Sequence, residues 1–515
     1  MIADETVPAP GRRMRWRALA GFLIVMLLSG AAVSKIGLLQ LDDLVDEFQR
    51  AGGGGGIDLQ DVTPAEAGKP QTIMLLGTDG RLGADAGGGS RSDTIILARL
   101  DASKSAITLM SIPRDLKVDI PGLAIPDKIN AAFANGGTKL TLKTVKNLLS
   151  RPGRPFKINH VVQISFLGFR RLVNYLNCVY IDVDRHYFND VGGPGGYAVI
   201  DVKEGYHRLC GDDALAYVRY RHTDSDLIRG ARQQDFIRQL LRRRSVRRRL
   251  SIDKRLVLAR IAGRFTRTDS ALLHKNELVS LLKLGLGVAD KPIQQVQFGA
   301  GQLADDGSYL TASSEAVDQT LEQFLNPKTV TEATAEKVTP DEDEKDKRAA
   351  KKKKHKASPG IPSGLVDVES AGETMAISVK RRLRFPFYYP TLGSSLGRSV
   401  DDVPRVYTIQ ANGRRYQAYR MVVSLGAPGE YYGIQGMTWR SPGTLERPGP
   451  PILDGPHDTI ERDGRKLNVY YDGKKVRLVS WQTRRGVYYI ANTLTRDLTF
   501  TRITAIARSL KKLGK

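Results

Sequence analysis

Apolar positions change their period several times along this chain, and each change marks an element. The first apolar run, "ALAGFLIVMLLSGAAV" at 18–33, is uninterrupted. It is followed by a short amphipathic stretch, "LLQLDDLVDEF", which breaks at the glycine run 52–56. From residue 72 the pattern becomes strand-like. "TIMLLG" (72–77) is almost wholly apolar, as expected of a strand covered on both faces. "TIILARL" and "AITLM" (106–110) are two more such runs. "DKINAAFANGG" predicts a short helix with a Gly-Gly stop. Near the C-terminus, "KLNVYYDGKKVRLVSW" reads as two alternating runs around Asp472-Gly473, a hairpin signal. "VYYIANT" is a further strand, and Ile503, Ile506, Ala507 and Leu510 recur at helical spacing.

These patterns divide the chain. Residues 1–17 form a cytoplasmic N-terminus, 18–34 a transmembrane anchor and 35–70 a stalk. A folded region spans 71–326, a charged linker 327–364, and a second folded region of strands with a terminal helix 365–515. The anchor lies near the short end of membrane-spanning length, roughly 17–25 residues. "RRMRWR" precedes it, so the positive-inside rule keeps the N-terminus in the cytoplasm and exports everything after it. A cleaved signal peptide ending at "AVS" (32–34) is the alternative, and it exports the same regions. The linker "DEDEKDKRAAKKKKHKASPGIPSG" has charge blocks and Pro/Gly punctuation but nothing able to build a core.

Charge narrows the partners. Lys and Arg total 79 against 55 acids, a formal net charge of +24. Such an excess suits anionic partners, and export argues against nucleic acid. Both cysteines, Cys178 and Cys210, follow the anchor. An oxidising compartment favours one disulfide between them, two buried thiols being the alternative. His160, His186, His207, His222 and His274 are scattered without metal-ligand spacing. The basic run "LLRRRSVRRRLS" (240–251) is a solvated face by default, with contact to anionic headgroups as the sharper reading. Tyr470, Tyr471, Trp481, Tyr488 and Tyr489 read as core and cross-strand pairs in the last region, to which no activity is assigned.

The chemistry gathers where strands end. "GTDGR" follows the first strand with Asp79 and Arg81. "RSD" opens the second with Arg91 and Asp93, and "SIPRD" closes the third with Arg114. Ligands of α/β sheets bind at such edges. Lys128 and Asn130 precede the short helix, and "AYVRYRHTDSDLIRGARQQ" adds Arg219, Arg221, Arg229 and Arg232. Arg219 and Arg221 share one face if extended, and Arg229 and Arg232 are neighbours on a helix. Five or more arginines and a lysine against two or three carboxylates suit phosphate oxygens better than a salt-bridge network. Asp79 and Asp93 beside a phosphate are what Mg²⁺ needs.

In this order, "GTDGR", "RSDTI", "SIPRD", "KINAAFANGG", "ALAYVRYRH" and "DLIRGARQQ" resemble the LytR–CpsA–Psr family of bacterial cell-wall ligases over about 72–326. The resemblance implies a three-layer α/β/α domain with a central mixed sheet. To that fold the chain adds an N-terminal transmembrane helix and a C-terminal α+β domain. It implies a polyprenyl-pyrophosphate lipid in a hydrophobic groove and transfer of a phosphoglycan to a peptidoglycan hydroxyl. Asp79 and Asp93 would hold Mg²⁺ (or Mn²⁺). Arg81, Arg114, Lys128, Arg219, Arg221, Arg229 and Arg232 would hold the pyrophosphate, with Gln233 in support. Asp79, Asp93, Arg114, Arg219 and Arg221 would be catalytic. The general base is open among Asp79, Asp93 and Asp115, and Asp115 could instead orient Arg114. The family often has Gly-Gly-Val where this chain has Asn177-Cys178-Val179. A pyrophosphate hydrolase using the same residues, and a non-catalytic wall-binding scaffold, are the rival functions.

Overall fold

The computed structural model describes residues 38–50, 56–78, 92–191, 199–220, 224–241, 252–288, 291, 293–301, 303–327, 361–426, 429–440, 449–462 and 464–513. The expected anchor at 18–34, nearly all of the 327–364 linker and the basic run after Leu241 fall outside these residues. Among the described residues no helix is long and apolar enough to cross a membrane.

The first region is built on a seven-stranded mixed sheet. Its strands are β1 (Gly56–Ile57), β2 (Gln71–Thr78), β3 (Ser92–Asp101), β4 (Ala106–Ile112), β5 (His160–Ser165), β8 (Thr266–Asp269) and β9 (Ile293–Gln297), and their spatial order is β1-β8-β5-β2-β3-β4-β9. β6 (Val179–Val183) and β7 (Gly205–Leu209) pair separately as an antiparallel ribbon. The central strands are apolar throughout because each face meets its own core. On β2, Ile73 and Leu75 enter one core while Met74 and Leu76 enter the other; β3 splits the same way, with Ile96 and Ala98 opposite Ile95 and Leu97.

Helices cover both faces. Helix α2 (Ile129–Leu149) and helix α8 (Ser314–Leu325) pack on one core. Helices α3 (Phe166–Tyr175), α4 (Gly211–Arg219), α5 (Asp226–Leu241), α6 (Ile252–Phe265) and α7 (Lys275–Val288) pack on the other. The Gly-Gly in α2 kinks the helix instead of stopping it. Gly137 sits at φ 58°, which glycine adopts at no steric cost, and helix resumes behind it to Leu149.

Two expectations change here. Residues 38–70 are not a free stalk. Helix α1 (Leu38–Arg50) buries Val45 and Phe48 in the main core, and Glu47 pairs with Arg260 of α6. An amphipathic helix buries its apolar stripe wherever a partner is available, and α6 provides one. Arg219 is likewise not on an extended stretch, because it ends α4, whose Ala214, Tyr217 and Val218 face inward.

Cys178 and Cys210 form a disulfide, joining the residue before β6 to the one before α4. Asn177 and Cys178 stand at φ 60° and 61°, the left-handed conformation that a Gly-Gly pair adopts freely. Non-glycine residues pay about 1–2 kcal/mol each there. The turn is held by Asn177 N–H donating to Asn174 O and Cys178 N–H to Val173 O, both at 2.9 Å. The bridge closes a loop of sequence separation 32, worth about 3–4 kcal/mol by loop-closure entropy. The Cys178→Ala/Cys210→Ala variant is therefore expected to lose about that much in denaturant unfolding, with unchanged behaviour on adding reductant. A variant as stable as the oxidised parent would contradict this reading.

The C-terminal region forms an antiparallel sheet from β10 (Arg398–Ser399), β11 (Arg405–Ala411), β12 (Arg414–Ser424), β13 (Tyr431–Met437), β14 (Asp458–Arg462), β15 (Arg465–Asp472), β16 (Lys475–Gln482) and β17 (Val487–Ala491). Helices α9 (Glu369–Val379) and α10 (Phe500–Ser509) pack on it, α10 through Ile503, Ile506 and Ala507. The hairpin between β15 and β16 turns at Gly473-Lys474, one residue beyond the expected Asp472-Gly473, with Asp472 opposite Lys475. Tyr470, Trp481, Tyr488 and Tyr489 are core, whereas Tyr471 is only part-buried.

This region is docked on the first one. Arg420, fully buried, donates to both oxygens of Asp182 on β6 at 3.0 and 3.5 Å, and Tyr489 Oη donates to the same carboxylate at 2.7 Å. The hairpin tip places Asp472 against α5 and β9, where it accepts from Arg238 at 2.6 Å and from the Gln295 backbone N–H at 3.1 Å. Arg496, at φ 64°, donates to Asp235, Gln295 and Asp472 at 3.1, 3.1 and 3.4 Å.

Candidate functional site

Sheet topology brings the motif residues to one edge. β2 ends at Thr78, just before Asp79, and β3 begins at Ser92, just before Asp93. The two strands are paired. Gly77 lies opposite Thr94 and Thr78 opposite Ser92, so Asp93 is the extra residue of a β-bulge. Bulges beside sites re-aim a side chain. Thr78 also pairs with Ser165 at the end of β5, and Ser111 at the end of β4 pairs with Gln297 of β9. Asp79, Arg81 and Arg221 lie outside the described residues, as does the side chain of Asp93.

Arg114 follows β4 at this edge. Its backbone N–H donates to Asp226 Oδ2 at 2.9 Å, and its Nε lies 3.3 Å from Asp115 Oδ2 and 3.6 Å from Asp226 Oδ2. Lys128 Nζ lies 3.1 Å from the other oxygen of Asp115. Burial alone would raise the Asp115 carboxyl, but the cations Arg114, Lys128 and Arg229 outweigh it and hold the carboxyl below its ordinary range. Arg229, on the first turn of α5 beyond Asp226, pairs with Asp226 Oδ1 at 3.1 Å. Helix α5 can sit this close to β4 because residue 230 is glycine; a Cβ there would come within 2.9 Å of the Ser111 side chain. Arg114, Asp115, Lys128, Asp224 and Asp226 line a cavity of about 450 Å³, together with Asp305 and residues 307–310, while Arg229 is buried behind Asp226. The Tyr309 ring lies 5.1 Å from Lys117 Nζ and 5.8 Å from Lys128 Nζ.

The remaining predicted residues occupy different positions. Arg219 stacks over Phe166, 4.2 Å from the ring centroid, beside the end of β5. Gln233 is a brace: its Nε2 donates to Thr94 Oγ1 at 3.0 Å and to Val218 O at 3.1 Å. It thus ties α5 to the residue after Asp93 and to the residue before Arg219. Arg232 turns inward. It is fully buried, pairs with Asp224, donates to Tyr220 O, and lies within 4.7 Å of the Tyr187 ring centroid.

The count of opposite charges also differs from the sequence reading. Asp224 and Asp226, in "HTDSDL", join Asp115, and Asp224 serves Arg185 at 2.6 Å as well as Arg232. Arg114, Arg229 and Arg232 are each held by an acid. Asp224 and Asp226 were legible as the acidic start of a helix, but the arginines around them drew the weight. Among the described residues no cluster of His, Cys, Asp or Glu could hold a metal.

The fold is a mixed sheet with helices on both faces, and the cavity at its strand-end edge sets Arg114 and Lys128 among Asp115, Asp224, Asp226 and Asp305. Comparison with known sequences is more specific: the model of the LytR_cpsA_psr family matches residues 49–326, and the chain belongs to that family. The polyisoprenyl-teichoic acid–peptidoglycan teichoic acid transferase TagT of Bacillus subtilis (strain 168) is 30% identical over 230 residues, 44% of this chain and 70% of that protein. The transferase of the same kind named TagU in Halalkalibacterium halodurans is 33% identical over 252 residues, 48% of this chain and 76% of that one. The solved B. subtilis protein YwtF (TagT) with bound octaprenyl pyrophosphate lipid is 23% identical, with a TM-score of 0.36 over 52% of this chain and 98% of that one.

Proposed function

We propose that this chain is an exported phosphotransferase, anchored through residues 18–34, that moves a glycopolymer from a polyprenyl-pyrophosphate carrier onto a peptidoglycan hydroxyl. The observation that carries the reading is the cavity lined by Arg114 and Lys128, with Arg229 behind it on Asp226, at the sheet edge where β2 ends and β3 begins. Membership of the family and the names of its relatives supply the direction of transfer.

The pyrophosphate docks against Arg114, Lys128 and Arg229, exchanging the carboxylates that now hold these cations for phosphate oxygens. Arg81, Arg219 and Arg221 complete the cluster from the neighbouring strand and helix ends. The acceptor hydroxyl gives its proton to Asp79 or Asp93 and its oxygen attacks the sugar-side phosphorus, the bond to the bridging oxygen breaks, and polyprenyl phosphate leaves with its charge against the arginines. Positioning and electrostatic stabilisation do most of the work in such a transfer. Asp115, held low by its cations, is a poor base and orients Arg114 and Lys128. Arg232 and Gln233 are positioning residues in this scheme. Arg232 fixes the segment after Tyr220, and Gln233 fixes α5 to β3. The hydrophobic groove for the lipid chain rests on the family resemblance; the described parts of "VVQISFLGF" are core, Val161 on one side of the sheet and Val162 and Phe169 on the other.

Asp79 and Asp93, leaving adjacent ends of paired strands, suit one Mg²⁺, which takes one or two carboxylates with phosphate oxygens and water. When bound, the ion neutralises phosphate charge. Asp93→Ala is expected to reduce transfer by at least 100-fold, about 2.7 kcal/mol, and to abolish its dependence on added Mg²⁺. Undiminished attachment of polymer in this variant would leave the wall-binding scaffold as the better reading.

A further inference from the structure

Beside the Arg114 cavity lies a second one, of about 430 Å³, and Asp226 lines both. One wall comes from α5, β9 and α8. The opposite wall comes from the docked C-terminal region, through Asp472, Lys475 and residues 494–496. The first wall is dominated by one side-chain type, with Gln234, Gln295, Gln297, Gln319 and Gln323 all facing the space. A primary amide carries two donors and an acceptor in one plane. That suits neighbouring hydroxyls and suits neither a phosphate, which wants charge, nor an alkyl chain, which wants apolar walls. Gln295 accepts from Arg496 through Oε1, yet its buried Nε2 has no partner among the described residues. A buried donor of that kind is costly unless a ligand or water meets it.

The far wall is rigid. Arg496 and Asp472 are buried and held to each other, to Asp235 and to Gln295. Arg496 keeps a left-handed backbone conformation, which costs about 1–2 kcal/mol and persists only where surroundings enforce it. Their charges offset one another, leaving that side of the cavity with Leu494, Thr495 and Lys475 beside the paired charges.

We infer that this glutamine-lined crevice is a subsite for a hydroxyl-rich glycan chain next to the phosphate, completed by the C-terminal region. The inference rests on the transfer reading above, because continuity with the Arg114 cavity makes the sugar attached to, or attacking, the phosphorus the occupant. Two sources share this chemistry, the glycan of the lipid-linked donor and the glycan strand of the acceptor.

The test uses the full-length protein in detergent and the variant Gln319→Ala/Gln323→Ala, whose side chains are exposed on α8, so that folding is spared. Lys475→Ala, also exposed, tests the other wall. Three probes are titrated: polyprenyl pyrophosphate, the same lipid carrying an N-acetylhexosamine disaccharide, and a peptidoglycan glycan strand stripped of its peptides. Both variants should bind the bare lipid as the parent does. They should bind one of the two sugar probes about tenfold more weakly, the effect of one or two lost hydrogen bonds. Loss on the glycosylated lipid assigns the crevice to the donor, and loss on the free strand assigns it to the acceptor. Parent-like binding of both sugar probes overturns the inference, as does an equal weakening on the bare lipid. Failure of the parent to bind bare lipid would instead strike the transfer reading, while the free strand would still test the crevice.

Discussion

Replacing Arg114 with alanine is expected to lower kcat/KM for glycopolymer transfer about 10²–10³-fold while leaving the fold intact. The guanidinium lies in the cavity, its backbone fixed by Asp226 and its Nε held by Asp115. One preorganised donor to a developing negative charge is worth roughly 3–4 kcal/mol. The fold should survive because neither acid is orphaned: Asp115 keeps Lys128, and Asp226 keeps Arg229. Arg114→Lys retains charge but loses the two-pronged grip on phosphate, so it should fall between parent and alanine variant. Steady-state rates with a defined lipid-linked donor, alongside thermal unfolding of each variant, check both halves. A loss below tenfold would remove Arg114 from the reaction.

The second large effect falls far from the phosphate. Asp182→Ala is expected to cost about 3–5 kcal/mol, because it strands the fully buried Arg420 and removes the partner of the Tyr489 hydroxyl. The pair holds the two regions together, so the loss should appear as earlier unfolding of the C-terminal sheet in denaturant. Asp182→Leu/Arg420→Met removes both charges and should recover most of the loss, since an apolar pair of similar volume is often as stable as a buried ion pair. A single-variant cost under 1 kcal/mol would mean that the two regions are not joined through this contact.

The reach of the sequence is clearest residue by residue. The apolar runs at 72–77, 94–100 and 106–110 marked β2, β3 and β4 because strands buried on both faces cannot conceal their composition. Arg114 and Lys128 were legible since their motifs sit where strands and helices begin or end. Arg232 was not, because spacing placed it beside Arg229 on a helix without showing which way its side chain would turn; Asp224, eight residues earlier, draws it inward. The docking of the C-terminal region left no local trace at all. Asp182 and Arg420 stand 238 residues apart, and Asp235 and Arg496 stand 261 apart. A lone buried acid on a strand looks like any surface acid until its partner arrives through the tertiary fold. The charge run between the two regions suggested a loose tether, whereas the buried ion pairs that decide the matter lie well beyond it.

The central claim, that the cavity transfers a phosphoglycan to an acceptor, meets its most direct test in product analysis. Purified full-length protein is incubated with Mg²⁺ and a polyprenyl-pyrophosphate-linked glycan, with and without peptidoglycan, and the products are read by mass spectrometry. The account predicts polyprenyl phosphate together with glycan joined to peptidoglycan through a phosphodiester, formed only when peptidoglycan is present. Free glycan phosphate as the sole product under both conditions would contradict it and make the protein a hydrolase.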